Sequence, residues 1–270
     1  MTAATAELNG ITVGYEDTGA GDPLLLVHGH PFDRSMWAPQ LGAFAARGVR
    51  VVAPDLRGYG GTTVVPGTTP LETFARDLAA LLDHLGLDRV VIGGLSMGGQ
   101  IVMEFCRLFP DRVRGVLLAD TFPAAETEDG KRVRRDLAVR LVREGLKGYT
   151  DEVLSKMVAP HNLAALPAVA DHVRRMMYGA PPEGAAAALR GRAERPDYRE
   201  LLDGIAVPAL VVVGREDEYT PVADAEDMHR RIAGSELVVI EGAAHLPNLE
   251  RPEEFNAALD RFLARVMTKA

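Results

Sequence analysis

Ser96 stands in Gly94-Leu95-Ser96-Met97-Gly98, a serine with glycine two residues before it and two residues after it. A serine hydroxyl is a poor nucleophile at neutral pH and becomes effective when a histidine takes its proton and a carboxylate orients that histidine. The glycine spacing has a mechanical reason. A nucleophile on a very tight strand-to-helix turn strains its own backbone and brings the flanking positions against neighbouring main chain, where a Cβ would clash. Taken without its surroundings, the same pentapeptide also describes a glycine-rich connection with Ser96 as a helix N-cap.

A base and an acid are available at matching places. His245 lies in Gly242-Ala243-Ala244-His245-Leu246-Pro247, a small-residue loop directly after the apolar run Leu237–Ile240. Asp217 follows Val213-Gly214-Arg215-Glu216 and precedes a helix that begins near Pro221, while Asp120, just past the run Val113–Ala119, is a second candidate for the acid. The order Ser96, Asp217, His245 is the one expected of such triads on an open α/β sheet. Two backbone donors are then needed for the oxyanion of a tetrahedral intermediate. The residue after the nucleophile, Met97, and the loop residue His30 in His28-Gly29-His30-Pro31 occupy the places that supply them. His28 is read as packing beneath that loop. With no third ligand suggested beside His28 and His30, neither a metal nor a cofactor is expected.

The elements that must position these residues follow from periodicity. Ile11–Glu16 alternates as a strand, Leu24–Val27 and Val49–Ala53 are apolar runs of strands covered on both faces, and Val90–Ile92 leads into the serine turn. Trp37–Arg47 and Pro70–Leu85 carry helical spacing; Leu71, Phe74, Leu78, Leu81, Leu82 and Leu85 form the apolar face of the second. Strand and helix alternate to Ala119, which implies right-handed crossovers and a mostly parallel sheet. From Phe122 to Leu202 the strand rhythm stops, and prolines 160, 167, 181, 182 and 196 punctuate helix-like segments. A structureless loop of that length is improbable, so the stretch reads as a helical insertion. Strands resume at Ala209–Val213 and Leu237–Ile240, and a last helix spans about Arg251–Arg265. The expected organisation is one core domain in two parts, 1–121 and 203–270, with the insertion at 122–202.

The 270 residues, 47% hydrophobic, suffice for a substantial core, and a net charge of −8 gives no electrostatic footprint for nucleic acid or an anionic membrane. The single cysteine, Cys106, excludes an intrachain disulfide and reads as a small core residue. No apolar stretch approaches the ~20 residues of a membrane span, and the first residues lack a basic run followed by an apolar one. A cytoplasmic protein is expected, and a homo-oligomer is left open.

Taken together, His28-Gly29-His30-Pro31, Asp55-Leu56-Arg57-Gly58-Tyr59-Gly60, the serine turn, Gly214-Arg215-Glu216-Asp217, and Gly242-Ala243-Ala244-His245 followed by Glu250-Arg251-Pro252-Glu253 resemble the α/β-hydrolase superfamily. Within it the chain is most similar to small serine esterases, to 3-oxoadipate enol-lactonase-like hydrolases and to cofactor-free perhydrolases of the haloperoxidase group. The resemblance implies a mostly parallel eight-stranded sheet flanked by helices, with a helical cap inserted after the sixth strand. A serine at the turn counts against relatives that use an aspartate there. The expected activity is hydrolysis of a small carboxylic ester or lactone through an acyl-enzyme on Ser96; perhydrolysis by the same triad is the alternative, and a receptor-like binding role a lesser one. Phe32, Phe122, Met157 and Met176 are the expected pocket residues, and Arg174 and Arg175 the candidates for meeting a substrate carboxylate.

Overall fold

The strand that ends at the serine turn, Val90–Leu95 (β5), is buried at every residue, as its unbroken Val-Val-Ile-Gly-Gly-Leu sequence requires of a strand covered on both faces. In the computed structural model, which describes residues 2–267, β5 runs parallel between Pro23–Val27 (β3) and Val113–Ala119 (β6). The sheet continues outward through Arg50–Pro54 (β4) and Ile11–Thr18 (β2) on one side, and through Ala209–Gly214 (β7) and Glu236–Ile240 (β8) on the other. An eighth strand, Thr2–Leu8 (β1), completes the order β1-β2-β4-β3-β5-β6-β7-β8. β2 alone runs against the rest, so its pairings with β1 and β4 are the antiparallel ones.

β1 is the element that periodicity alone does not reveal. Thr-Ala-Ala-Thr-Ala-Glu-Leu has little apolar weight, and it is held by pairing to β2 across a turn at Asn9-Gly10. Both turn residues have positive φ, 50° and 76°, the geometry that suits the twist of a tight hairpin. The helix expected over Trp37–Arg47 is shorter, Ala38–Ala45 (α1). A 3₁₀ turn at Arg34–Trp37 precedes it, capped by Asp33, whose Oδ1 accepts from Ser35 N at 2.8 Å. Leu71–His84 (α2) and Met97–Leu108 (α3) cover one face of the sheet, and α1 with the last helix, Pro252–Val266, covers the other.

Between β6 and β7 lie six helices: Glu128–Glu144 (α4), Lys147–Met157 (α5), Pro160–Ala165 (α6), Pro167–Gly179 (α7), Pro182–Ala193 (α8) and the short Arg199–Asp203 (α9). Two seams join them to the sheet domain. On one, the small-residue helix α8 lies directly on the loop 58–70. A Cβ on Gly184 would fall on the Gly58 backbone, one on Gly191 would fall on the Thr69 carbonyl, and Thr69 N donates to Ala187 O at 3.0 Å. On the other, the buried Glu250 carboxylate gathers donors from both sides. Its Oε2 accepts from Ala159 N at 2.8 Å and Asn162 Nδ2 at 2.7 Å, and its Oε1 accepts from Ala244 N at 2.8 Å, one residue before His245.

Each seam gives an expected outcome. Gly191→Val forces two backbones apart and should cost about 3 kcal/mol or more in urea denaturation, since a main-chain clash has no rotamer to relieve it. Glu250→Ala leaves buried donors unpaired at roughly 1–3 kcal/mol each. Hydrogen exchange should accelerate at the Ala159 and Ala244 amides together, and unchanged protection at either would show that the carboxylate does not hold the seam.

Candidate active site

Ser96 joins β5 to α3 with φ 58° and ψ −118°, a conformation that L-residues enter only under constraint. The constraint is visible in the neighbouring main chain. A Cβ on Gly94 would overlap the Gly98 carbonyl, and one on Gly98 would lie 2.8 Å from His28 O and nearer still to Val27 O. Ser96 N donates to Ala119 O at 2.9 Å and Thr121 Oγ1 donates to Ser96 O at 2.8 Å, which ties the turn to β6. Ser96 stands at the N-cap position of α3, yet its side chain makes no capping hydrogen bond. The hydroxyl is left to the cavity above the sheet.

His245, on the loop after β8, lines the same cavity. Its Nδ1 lies 2.8 Å from Asp217 Oδ2, and the carboxylate can only accept, so Nδ1 carries the proton and Nε2 presents its lone pair. Among the described residues Ser96 Oγ has no hydrogen-bond partner; serine and base face one space without yet touching. Asp217 is fixed by more than the histidine: Oδ1 accepts from Tyr219 N at 2.8 Å and Thr220 N at 3.2 Å, and the Thr220 hydroxyl donates to Oδ2. Burial alone would raise this carboxyl, but His245 and these donors outweigh it and hold it below the usual aspartate value.

Asp120 lies beside this pair, with acceptor atoms of Asp120, Asp217 and His245 all within 4.8 Å of one another. Its environment is the opposite one. Oδ1 accepts a single bond, from Gly214 N at 2.9 Å, and Oδ2 is buried without a partner. Burial first, and then the Asp217 charge, push its carboxyl well above the ordinary value. The surroundings of Asp217 thus favour its charged form beside His245, and those of Asp120 favour its protonated form.

Among the described residues the amides of His30 and Met97 have no hydrogen-bond acceptor, as two donors reserved for an oxyanion would. The His30 ring is positioned by Tyr59, whose hydroxyl lies 2.7 Å from Nδ1. His30 Nε2 is buried with no hydrogen-bond partner among the described residues. His28 packs beneath the loop, its Nε2 accepting from Leu56 N at 2.9 Å and its Nδ1 donating to Gly29 O at 2.8 Å. Cys106 is buried, and burial pushes its thiol up to about 12, as a core cysteine requires.

The cavity, about 450 Å³, lies between the sheet edge and the helical insertion. Phe122 and Met157 line it as expected, but Phe32 and Met176 do not. Phe32 turns under its loop into the core with Met36 and Trp37, and Met176 packs from α7 into that same apolar cluster; each is under 5% exposed. Arg174 pairs with Asp171 at 2.5 Å on a half-exposed helix face, and neither it nor Arg175 reaches the cavity. The lining holds residues that local sequence does not single out: Leu137 and Arg134 of α4, Tyr149 of α5, Leu189 and Arg192 of α8, and Tyr219 beside His245. They are scattered over 86 positions and meet only through the packing of the insertion. Tyr59, within Asp55-Leu56-Arg57-Gly58-Tyr59-Gly60, stands behind the lining and reaches the site through His30.

Comparison with known proteins agrees with this geometry. The model of the alpha/beta hydrolase family matches residues 24–258. A thermophilic esterase from Thermogutta terrifontis, solved with malate bound, is 40% identical and superposes with a TM-score of 0.96 over 99% of this chain and 100% of its own. The 3-oxoadipate enol-lactonase 2 of Acinetobacter baylyi is 30% identical across 98% of this chain and 96% of its own. A bromoperoxidase from Bacillus anthracis is 28% identical with a TM-score of 0.87, over 97% and 99% of the two chains. The chain belongs to the alpha/beta hydrolase family, as an esterase- and enol-lactonase-like member of it.

Proposed function

We propose that this protein hydrolyses a small carboxylic ester or lactone through a covalent acyl-serine at Ser96. The observation that carries the reading is the Asp217–His245 pair at 2.8 Å, which turns a lone pair on Nε2 toward the cavity that also receives the strained Ser96. His245 takes the hydroxyl proton as Ser96 Oγ attacks the carbonyl carbon, and Asp217 stabilises the imidazolium that results. The His30 and Met97 amides receive the oxyanion. Collapse of the tetrahedral intermediate expels the alcohol, which leaves with the proton from His245; in a lactone the alcohol stays attached to the acyl chain. Water activated by the same histidine then releases the acid. The resemblance to an enol-lactonase and to an esterase that binds malate supports small, polar acyl groups as substrates.

A second reading, perhydrolysis, is favoured by the likeness to the bromoperoxidase. Here hydrogen peroxide replaces water on the acyl-serine and the product is a peracid. Peracid formation from acetate and peroxide at a rate above that of Ser96→Ala protein would support it.

Two outcomes test the leading reading. Ser96→Ala should lower kcat on a chromogenic short-chain ester by roughly 10⁴ to 10⁶, and retention of wild-type kcat/KM in rigorously purified protein would overturn the acyl-serine. Asp217→Asn should cost roughly 10⁴ in kcat because it disturbs the histidine tautomer, whereas Asp120→Asn should keep most of the activity. A larger loss from Asp120→Asn would move the acid to that residue.

The two variants should also separate by pH. The depressed Asp217 contributes stability that is full above its unfolded value and is lost as pH falls through its lower folded value. The raised Asp120 has the opposite sign. The folded protein keeps a proton that the unfolded chain releases near pH 4, so that contribution weakens as pH rises above this point. Asp120→Asn should therefore gain on wild type in urea denaturation between pH 4 and pH 7. A constant difference across that window would show that Asp120 is not held neutral.

A further inference from the structure

Arg192 is a buried cation without a counter-ion. It is 7% exposed, lines the cavity from α8, and among the described residues has no carboxylate within 4.0 Å. Its single described side-chain bond runs from Nε to Gln100 Oε1 at 3.0 Å, which leaves both terminal nitrogens of the guanidinium free. Glu126, which lines the same cavity, is already engaged: its Oε2 accepts from both Arg134 and Arg195. Buried charges in proteins are ordinarily paired, because leaving one unpaired in low dielectric is costly. Burial, followed by the charges of Arg134 and Arg195, disfavours the Arg192 charge in the empty site. An arginine stays charged nonetheless, so an anion that enters the cavity relieves the imbalance.

The surroundings are donors as well. Among the described residues Gln100 Nε2 is buried without an acceptor, and His30 Nε2 is buried without a hydrogen-bond partner. Both flank the nucleophile. Gln100 lies one helical turn beyond Ser96, its amide donating to Ser96 O at 3.2 Å, and His30 lines the cavity with Ser96. The position is not an accident of a flexible side chain. The backbone contacts of Gly184 and Gly191 seat α8 on the loop below and fix the height of Arg192 above α3.

We infer that Arg192 is the recognition site for a carboxylate carried by the substrate, so that the preferred esters or lactones are anionic, with the second carboxylate a few carbon atoms from the scissile carbonyl. With Nε held by Gln100, the free edge of the guanidinium presents two parallel N–H donors, the fork that matches the two oxygens of a carboxylate. Gln100 sits one turn, about 5.4 Å, along α3 from Ser96, so the arginine it holds lies on the nucleophile's side of the cavity and a ligand of a few carbon atoms is the size to probe. Arg134, at the same wall, adds positive potential but is itself engaged by Glu126. The inference deepens the ester-hydrolase reading and rests on it for the bond that is cleaved, while the binding itself does not.

The test uses Ser96→Ala protein, which binds without turnover, and two ligands of equal size: monoethyl glutarate and the corresponding monoamide, ethyl glutaramate. Calorimetry should show the carboxylate bound at least ~10-fold more tightly than the amide, the difference expected of charge-assisted over neutral hydrogen bonds. Adding Arg192→Met should reduce that ratio to within about 2-fold, and Arg192→Lys should restore part of it because the charge returns without the fork. Equal affinity for the two ligands in Ser96→Ala protein overturns the inference, and this arm stands even where circular dichroism shows the methionine variant misfolded. An active-site-directed fluorophosphonate applied to wild-type protein separates the two readings. Labelling of Ser96 without carboxylate preference removes only the anion site. Carboxylate preference without labelling keeps the anion site and removes the acyl-serine.

Discussion

The close approach of main chain around Ser96 is the constraint on which the rest of the molecule depends. Gly94 and Gly98 carry no Cβ because the backbone of α3 returns within contact distance of the strand it has just left and of the β3 loop at Val27 and His28. This compression does three things. It holds Ser96 at a φ of 58°, lifts its hydroxyl off the helix it would otherwise cap, and leaves the Met97 amide unpaired beside it. A strained residue persists only where its surroundings over-determine it, and here β5 is locked on both sides, by β3 and by β6. The long buried sheet is what makes the strain affordable.

Two carboxyl groups within 4.8 Å of one imidazole nitrogen would be redundant if they were alike. They are made unlike by donor count. Asp217 collects two amides, a hydroxyl and the imidazole; Asp120 collects one amide and leaves an oxygen bare. Adjacent carboxyls in a buried site cannot both ionise cheaply, so the better-solvated one takes the charge and the other keeps its proton. The local negative charge at the histidine is then a single one, which suffices to hold the imidazolium and avoids the repulsion of a second.

Sequence carried the chemistry further than it carried the container. Ser96, Asp217 and His245 each sit just past the carboxyl end of a strand, so the order of the strands alone brings them to one edge of a parallel sheet. Short-range signals of this kind survive without structure because a turn imposes them on its own residues. β1 failed the same test for a physical reason: it is stabilised by its partner and by the Asn9-Gly10 turn, not by apolar alternation of its own. The pocket failed more widely. Phe32 and Met176 are large and apolar and lie near the right loops, yet the core claims both, whereas Leu189 and Arg192 come from a helix of alanine and glycine that carries no amphipathic signature to orient it.

That helix shows why a specificity element can hide in plain composition. α8 is placed by what its residues lack: with no side chains at 184 and 191 its backbone descends onto the loops at Gly58 and Thr69. The descent carries Arg192 into a space that an arginine does not enter on its own solvation energy. Arg174 and Arg175, on a helix whose polar face meets water, look more available in the sequence and are spent on the surface, Arg174 against Asp171. Among the described residues the side chain of Arg192 answers to Gln100 alone, and the close packing of α8 holds it there. A binding site of this kind is legible only through the backbone contacts that force the charge inward.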